Sequence, residues 1–517
     1  MQSIKAASVR RSIGMAALDS THHRVPEVPF AAGDTELTWY TEYVPAFTIQ
    51  EVLSSPLLRA NGTLRPKHTR TCKTTSIVST SLNNRETDPK NVCAPSTWQG
   101  LSTGKELSGI GSRKEINAKA IDDRYKAIVD VATTRAVVSV GLSCFLHDRR
   151  MDASGPFKFK VQTFNILAMC SESYVVEPSS IQFLITHGFD FNRQYALGVP
   201  FYKGNDKPPK EEPEGISLRH LITQIVLHKK PIVLHNGFID LVFLYQCFYA
   251  QLPKLLQTFV ADLSEIFCGG IYDTKFISEF KASMPATYLE YVFRRRQRES
   301  ASKEAHGKPF VSVDFPEYNE KHLVDHGECA LRSRFPGDVA AVSICKNFAR
   351  YGWCSNGESC PSSHNVDDIL DAEAAKQQKK RRKGQHALPT KDSEPASGPE
   401  EGAEEMEHNG KSGDHNNGGD MPPLVKRTTG LHRAGYDAFM TGYSFATFLL
   451  SYAKRRPSAK GLEVENLGLF ELANNVYLSG KSVPLQINAS HFAKRSFQHT
   501  QKYSALFEKH SETCNEL

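Results

Sequence analysis

The sequence Pro231-Ile-Val-Leu-His-Asn-Gly-Phe-Ile-Asp240 joins a short apolar segment, a turn and the start of a second apolar segment. Pro231 stands at the first position of the apolar run, where a strand tolerates proline. Asn236-Gly237 is typical of a turn, and residues 239–250 have the length and composition of a helix. We therefore predict a buried strand, a tight turn and a helix whose first turn carries Asp240.

The segments around this unit predict the rest of a sheet. Residues 157–164 alternate apolar and polar side chains, which is the pattern of a half-buried strand. Further strands are predicted at residues 136–145 and 271–273, and helices at residues 180–191 and 288–298. Strands that are followed by alternating strands and helices indicate an α/β or α+β fold with helices flanking the sheet.

Length and composition limit the classes of protein. The chain has 517 residues, enough for about three domains. Its 63 Lys and Arg exceed its 57 acids by only six, which is too little to identify a nucleic-acid partner. Its 11 cysteines favour a reducing compartment over a disulfide framework. No apolar run reaches the roughly 18 residues of a membrane span. Residues 1–18 are basic without acids, so they fit an unstructured start or a mitochondrial transit peptide.

The spacing Cys345-x8-Cys354-x5-Cys360-x3-His364 predicts one structural Zn²⁺ site. Three thiolates and one imidazole complete the tetrahedral shell that Zn²⁺ prefers. A module this short has too little core to fold without its metal. Aromatic and basic residues between the ligands predict stacking and pairing with single-stranded RNA; these residues are Lys346, Phe348, Arg350, Tyr351 and Trp353. A zinc site that only stabilises the fold is the alternative.

Carboxylates in three places are candidates for a second metal site. Asp34 and Glu36 are two residues apart, so on a strand they project from one face. Asp240 and Asp437 each follow a histidine by five residues, and His432 is expected on the loop before a helix. Carboxylates that face one pocket repel each other unless cations neutralise them. Two Mg²⁺ ions would do so and would favour phosphodiester hydrolysis, with His432 as general base. Taken singly, each carboxylate is more commonly a helix cap or a surface charge.

A change of composition follows the cysteine-rich segment. Five consecutive basic residues predict a nuclear localisation signal that a nuclear import receptor binds; they are Lys379, Lys380, Arg381, Arg382 and Lys383. Acidic and Gly/Asn-rich sequence follows, so residues 365–427 are predicted to be a disordered linker. Residues 431–453 predict a buried helix, which must pack on an earlier part of the chain. The finger and linker are therefore expected to interrupt one larger fold.

Two of these motifs resemble a known family. Leu234-His-Asn-Gly-Phe-Ile-Asp240 and His432-Arg-Ala-Gly-Tyr-Asp437 resemble motifs II and III of the DEDDh 3′-exonucleases, specifically the poly(A)-specific ribonuclease-like deadenylases. The finger and basic run between them are similar to those of the CCCH-zinc-finger members. The resemblance extends from residue 106 or 108 to about residue 502 and includes Phe183–Asn192, Tyr202–Lys207, Ile271–Lys275 and Val476–Lys481.

The resemblance implies a fold, an activity and a location. It implies an RNase H-like fold and a Mg²⁺-dependent 3′-exoribonuclease that trims poly(A) tails and the 3′ ends of small nuclear RNAs. Such an enzyme would act in the nucleus, in nucleoli, Cajal bodies or speckles. The expected ligands of two Mg²⁺ ions are Asp34, Glu36, Asp240 and Asp437, with His432 as the base.

Motif I departs from the family pattern, which reads Asp-Thr-Glu-Leu-Ser-Gly without interruption. Here Asp34-Thr-Glu-Leu37 is separated from Ser108-Gly109 by residues 38–107. Gly104-Lys-Glu-Leu107 stands directly before Ser108 and keeps the glutamate, Glu106, but has glycine in place of the aspartate. Asp34 and Glu36 are the favoured pair because an apolar approach precedes them, and Glu106 is the alternative. A split motif also leaves open a catalytically impaired zinc-finger RNA-binding adaptor.

These observations predict a domain organisation. Residues 1–29 form an N-terminal segment, and residues 30–37 with 108–336 form the first part of the nuclease domain, interrupted by an atypical insertion at 38–107. A CCCH zinc finger at 337–364 and the linker at 365–427 precede the C-terminal part of the nuclease domain at 428–517.

Overall fold

A nine-stranded mixed sheet organises the described part of the chain. The computed structural model describes residues 99–147, 156–204, 217–315, 342–385, 434–454 and 467–515. The strand order is β4-β3-β2-β1-β5-β6-β8-β9, and β7 lies beside β3. The strands are β1 (Gln99–Leu107), β2 (Val137–His147), β3 (Phe157–Cys170), β4 (Val199–Phe201), β5 (Ile232–Leu234), β6 (Ile271–Asp273), β7 (Val311–Asp314), β8 (Asn475–Val476) and β9 (Leu485–Gln486).

Helices cover both faces of this sheet. They are α1 (Arg113–Ile116), α2 (Ile121–Thr134), α3 (Pro178–Thr186), α4 (Phe191–Leu197), α5 (Leu218–Leu227), α6 (Phe238–Phe248), α7 (Leu256–Ile266), α8 (Thr274–Phe276), α9 (Leu289–Ala305), α10 (Lys346–Tyr351), α11 (Val366–Gln385), α12 (Ala434–Tyr452) and α13 (Phe497–Asn515). The predicted α/β class with flanking helices is confirmed.

Two apolar cores lie on opposite faces of the sheet. Successive residues of a strand point to opposite faces, and β5 illustrates this because Ile232 and Leu234 belong to one core and Val233 to the other. Helices α2, α5, α6 and α7 cover the first core, and α9 and α12 cover the second. Burial on both faces explains why β5 is apolar at every position.

Helix α12 lies unusually close to β2, and glycines make this possible. A Cβ atom on Gly141 of β2 would lie 1.8 Å from the carbonyl oxygen of Ala434, and one on Gly442 would lie 2.1 Å from the Phe145 ring. Any larger side chain at these two positions would push the helix off the sheet. The glycines therefore fix the depth at which the first turn of α12, with Asp437, meets the sheet.

The structure moves the boundary of the segment that we predicted as an insertion at residues 38–107. Its last nine residues, Gln99–Leu107, form β1, which pairs antiparallel with β2 and parallel with β5. The alternation of this strand is hidden in the sequence because small and polar residues occupy most of its positions. Asp34, Glu36 and the rest of the predicted insertion lie outside the described residues.

The prediction of disorder from residue 365 onward was wrong for residues 366–385, which form α11. Val366, Ile369 and Leu370 are buried at helical spacing against Ala286 and Tyr291. Ion pairs between α9 and α11 add to this contact: Arg298 pairs with Asp367 at 3.0 Å and with Asp371 at 2.7 Å. The charge of the segment concealed one apolar face, which finds its partner only in the folded protein.

No helix within the described ranges is long and apolar enough to cross a membrane.

Candidate active site and zinc finger

Four parallel strands end at one edge of the sheet. β1 is parallel to β5, β5 to β6 and β6 to β8, so their carboxyl ends share this edge. In open α/β sheets the loops at the carboxyl ends of parallel strands are the usual location of ligand sites. Asp240 lies in the helix that follows β5, and Glu106 lies at the end of β1. The segment after β8 lies at the same edge.

Asp273, at the end of β6, ties these strand ends together. Its carboxylate accepts hydrogen bonds from the backbone N–H groups of Asn236 (2.9 Å) and Gly237 (3.1 Å) after β5, and of Tyr477 (3.0 Å) after β8. The side chain is fully buried, and its burial raises the pKa of Asp273 while these N–H donors oppose the rise. Asp273 therefore holds the edge of the sheet and is not itself open to a substrate.

His235 and Lys275 fix the segment before α9 against the same edge. The His235 ring contacts the Thr274 hydroxyl at 2.9 Å and the Thr287 carbonyl at 3.1 Å, and burial lowers the pKa of His235 to about 3. Lys275 donates to both the carbonyl and the hydroxyl oxygen of Thr287 at 3.1 Å. A neutral His235 at physiological pH is a structural residue, and its five-residue spacing to Asp240 has no catalytic meaning.

Asp240 and Asp437 meet although 197 positions separate them in the sequence. Asp240 lies in the first turn of α6 and Asp437 in the first turn of α12. Burial, then repulsion from Asp240 and then from Glu290, raise the pKa of Asp437 to about 7. A buried carboxyl group that is partly protonated at neutral pH and lies near other carboxylates is a candidate ligand for a cation.

Glu106 lies at the same end of the sheet. It is the next-to-last residue of β1, pairs with Ser139 of β2, and is only 9% exposed. Gly104, two residues earlier, pairs with Gly141, against which the first turn of α12 packs. Residues two apart on a strand share a face, so β1 directs positions 104 and 106 to the same side of the sheet.

Asn165 of β3 positions the entry to α12. Its Oδ1 atom accepts hydrogen bonds from the Gly435 N–H and from the Ser139 hydroxyl, both at 3.2 Å. Gly435 stands two residues before Asp437, so this contact aligns the turn that carries the carboxylate. Neither Asn165 nor Glu290 was predicted as a site residue, because neither lies in a motif and only the folded chain brings them near the turn that carries Asp437.

Three predicted site residues, Asp34, Glu36 and His432, lie outside the described residues. Within the described ranges, the only group of three or more Cys, His, Asp or Glu whose ligand atoms all approach within 4.8 Å is the cysteine and histidine set of the finger. The carboxylates Glu106, Asp240 and Asp437 share an edge of the sheet but form no such closed group.

The four predicted zinc ligands come together. The ligand atoms of Cys345, Cys354, Cys360 and His364 all lie within 4.8 Å of one another. A tetrahedral Zn²⁺ with bonds of about 2.3 Å to sulfur places its sulfur ligands about 3.8 Å apart, so the residues fit this ion. Cys345 caps α10, and its sulfur accepts a hydrogen bond from the Phe348 N–H at 3.5 Å. This hydrogen bond lowers the pKa of the Cys345 thiol and so favours the thiolate.

The finger packs on the start of α9. The Phe348 ring stacks on His364 at 4.5 Å and meets Tyr288 edge to face at 5.8 Å. Gly352, with φ of +73°, allows Tyr288 to approach its backbone. Phe348 was predicted to stack on RNA, but one face of its ring is stacked on His364. Tyr351 and Trp353 remain 55% and 60% exposed.

The CAF1 family ribonuclease model matches residues 101–215 and 210–445, which is more than half of the chain. The chain belongs to the CAF1 ribonuclease family. The matched segments run through the strand edge, Asp240, the finger and Asp437. The family match agrees with the nuclease motifs described above and extends to β1, which carries Glu106.

Similar proteins match over shorter stretches. The pre-piRNA 3′-exonuclease trimmer of Bombyx mori is 42% identical over 104 residues, which is 19% of this chain and 19% of that protein. An uncharacterised protein of Schizosaccharomyces pombe is 38% identical over 64 residues, which is 12% of this chain and 15% of that protein. The chain thus covers less than a fifth of the length of each of these two relatives.

Solved structures match more distantly. The S. pombe Pop2p structure in its Mg²⁺- and Mn²⁺-bound form is 15% identical, covers 38% of this chain and 72% of that chain, and has a TM-score of 0.29. The structure of the yeast NOT1 MIF4G domain co-crystallised with CAF1 covers 42% of this chain and 71% of that chain, at 15% identity and a TM-score of 0.26.

Proposed function

We propose that this member of the CAF1 family is a Mg²⁺-dependent 3′→5′ exoribonuclease that removes adenosines from RNA 3′ ends. The observation that carries the proposal is the meeting of Asp240 and Asp437, where repulsion from Asp240 contributes to the raised pKa of Asp437. A divalent cation between such groups removes the repulsion, and oxygen ligands of this kind suit Mg²⁺.

The roles of the residues follow from their positions. Glu106, Asp240 and Asp437 would hold the metal, which when bound activates a water and offsets charge at the scissile phosphate. Asp240 and Asp437, each in the first turn of a helix, would orient the 3′-terminal phosphodiester between α6 and α12. His432, five residues before Asp437, is proposed to accept the proton of the attacking water at its neutral imidazole.

Glu106, rather than Glu36, is proposed as the glutamate of motif I. The supporting observation is that β1 joins β2 to β5 at the centre of the sheet and ends, with Glu106, at the edge where Asp240 lies. The motif then has Gly104 where the family has aspartate, so one carboxylate of the usual set would be missing. Asp34 and Glu36 remain the competing pair.

Substitution of single carboxylates tests both assignments. We expect the Asp240→Asn and Glu106→Gln variants each to shorten a 5′-labelled oligo(A) at least about a hundredfold more slowly than the wild type. The Glu36→Gln and Asp34→Asn variants should shorten the same RNA at the wild-type rate. Binding of the same RNA in EDTA checks that the variants fold. Full activity of Asp240→Asn would overturn the enzyme assignment, and loss of activity in Glu36→Gln but not in Glu106→Gln would reassign motif I.

The substrate and the compartment are finer proposals. The order of finger and basic run between motifs II and III resembles the deadenylase called target of early growth response, and supports poly(A) tails and small nuclear RNA 3′ ends as substrates in the nucleus. The basic run lies at the end of α11, where an import receptor could bind it. A fluorescent fusion with Lys379 to Lys383 replaced by glutamine should stay out of the nucleus, whereas the unchanged fusion enters.

An RNA-binding adaptor is the second candidate. Gly104 in the aspartate position and the exposed Tyr351 and Trp353 of the finger favour it. If the wild-type chain binds oligo(A) but releases no nucleotide in Mg²⁺ or Mn²⁺, and Trp353→Ala weakens the binding, the adaptor role is correct.

A further inference from the structure

A basic cavity opens at the carboxyl edge of the sheet, between the segment after β1 and the segment after β8. Its volume is about 330 Å³, and its lining contains three cationic side chains and no acid. The lining residues are Asn117, Lys119, Arg124, Ser479, Gly480 and Lys481. None of them takes part in the metal site described above.

Arg124 is the buried wall of this cavity. It is only 4% exposed, and its guanidinium donates to neutral carbonyl oxygens of Ala118 (3.1 and 3.3 Å), Ser479 (3.0 Å) and Asn117 (3.3 Å). Within the described ranges, no carboxylate lies within ion-pair distance of Arg124. Burying a cation without a counter-charge is unfavourable, and this wall is therefore electrostatically suited to an anion.

Lys119 and Lys481 complete the cavity from the two segments. Lys481 donates to the backbone carbonyl of Lys119, so the two chain segments are joined at the mouth. Gly480 has a φ of +69° and is exposed, which leaves backbone accessible beside the lysines. The acids of this region, Glu115, Asp122 and Asp123, are exposed and do not line the cavity.

The cavity lies near the carboxylates. Tyr477 N–H and Gly237 N–H share one oxygen of Asp273, at 3.0 and 3.1 Å. Ser479 is two residues beyond Tyr477, and Asp240 is three residues beyond Gly237 in α6. Chain geometry then places Ser479 within about 20 Å of Asp240. This is the span of a few nucleotides, so an RNA whose 3′ end lies at the carboxylates can reach the cavity.

We propose that Lys119, Arg124 and Lys481 form a subsite for a phosphate group of the RNA backbone, a few nucleotides upstream of the 3′ end. The inference rests on the proposed exoribonuclease function and adds a contact that holds long substrates. A phosphate contact reads no base, so the subsite favours length over sequence.

The test compares Lys481→Ala and Lys119→Ala with Lys126→Ala in the full chain. Lys126 is the matched control because it is an exposed lysine of α2 that pairs with Asp123 at 3.7 Å, away from the cavity. RNA binding is measured by fluorescence anisotropy in EDTA with an oligo(A) of about 20 nucleotides. The ratio kcat/KM is measured in Mg²⁺ with that RNA and with a dinucleotide.

We expect each cavity variant to raise Kd for the long RNA about tenfold and to reduce the slope of log Kd against log salt by about one. The loss in kcat/KM should be large for the long RNA and small for the dinucleotide, which has no phosphate upstream of the scissile one. Lys126→Ala should match the wild type. Unchanged Kd in both cavity variants, or equal losses on long and short substrates, overturns the proposal.

Two controls separate the sources of phosphate and the two proposals. If orthophosphate raises the melting temperature of the wild type but not of Lys481→Ala, and both bind RNA equally, the cavity binds free phosphate and the RNA assignment is overturned. If no form degrades RNA, the proposed enzyme function fails, but the binding measurements in EDTA still decide the subsite. If the wild type is active and the cavity variants bind like it, only the subsite fails.

Discussion

Asp437 shows how one ionisation links stability and metal binding. In the protein without metal, the pKa of Asp437 rises from 3.8 to about 7, first through burial and then through Asp240 and Glu290. The folded state therefore holds a proton that the unfolded chain releases between these two pH values. Stability must fall as pH rises through this window. Bound Mg²⁺ would displace the same proton, so its affinity must rise over the same range.

We predict that in EDTA the melting temperature of the wild type falls relative to that of Asp437→Asn as the pH rises from 3.8 to about 7. The variant is the necessary reference because buried His235 makes stability depend on pH in the opposite sense. The pKa of His235 is lowered to about 3, so the fold loses stability from this residue as pH falls below 6.5. Calorimetry of both proteins measures the difference. An equal slope in wild type and variant would contradict the assigned pKa.

Gly104 offers a gain-of-function test at the residue scale. It lies two residues before Glu106 on β1 and occupies the position of the family's motif I aspartate. We expect Gly104→Asp to add a metal ligand on the face of Glu106, and so to raise kcat/KM on oligo(A) about tenfold or more and to lower the Mg²⁺ concentration for half-maximal rate. The control is Ser102→Asp, which adds the same side chain two residues earlier on β1 and so further from the edge of the sheet. No gain in Gly104→Asp would argue that the motif lies elsewhere.

At the scale of elements, the finger and α11 depend on each other. Val366, Ile369 and Leu370 of α11 share a core with Ala286 and Tyr291, and Phe348 of the finger packs at its border. A metal bound by the cysteine and histidine set would supply the fold of the finger, while the helix anchors the finger to α9. The first turn of α9 also carries Glu290, whose charge reaches Asp437. The finger therefore packs on α9, the same helix whose first turn lies near Asp437.

We expect Leu370→Ala, which removes a side chain only 6% exposed, to destabilise this core by about 2–4 kcal/mol. The measurable result is faster transfer of zinc from the full chain to a colorimetric chelator. Lys376→Ala, on the exposed face of the same helix, should release zinc at the wild-type rate. Cys354→Ser should bind no stoichiometric zinc. Equal release rates in the two α11 variants would mean that the helix does not support the finger.

At the scale of the whole molecule, a buried polar cluster closes the fold with its last helix. Asp262 of α7 is fully buried, and its carboxylate accepts the Ser496 N–H at 2.9 Å and the Tyr245 hydroxyl at 2.8 Å. His499 of α13 contacts the Tyr249 hydroxyl and Glu265, each at 2.8 Å. Tyr249 and His499 are thus in contact although 250 positions separate them in the sequence.

We predict that Asp262→Ala lowers the free energy of unfolding by about 3 kcal/mol, because it leaves a buried hydroxyl and a buried N–H without their acceptor. Hydrogen exchange should accelerate along α13 first. Asp123→Ala, an exposed acid of α2, should change neither quantity. Unchanged exchange of α13 in Asp262→Ala would show that other contacts hold the helix.

The sequence by itself determined the local units of this protein. Apolar runs and turns located β5, β6, α6 and α12 within a few residues, because each segment's pattern is set by its own burial. The start of α9 was located equally well, but its end lies seven residues beyond the predicted one. The zinc ligands were equally local, since four residues within 20 positions must close on one ion. The resemblance carried by the motif around Asp240 predicted a ribonuclease, which agrees with the CAF1 family match.

Only the tertiary structure decided how these units combine. β1 was not recognised, because its place at the centre of the sheet depends on pairing with β2 and β5 and its own residues are mostly small and polar. Disorder was predicted for α11 because its apolar face is stable only against α9. Only the family resemblance implied that Asp240 and Asp437 lie close together. The burial of Arg124 between two distant loops and the closing of the fold by Asp262 depend on contacts across hundreds of residues. Local pattern carries no information about such contacts, because they arise from packing of the whole chain.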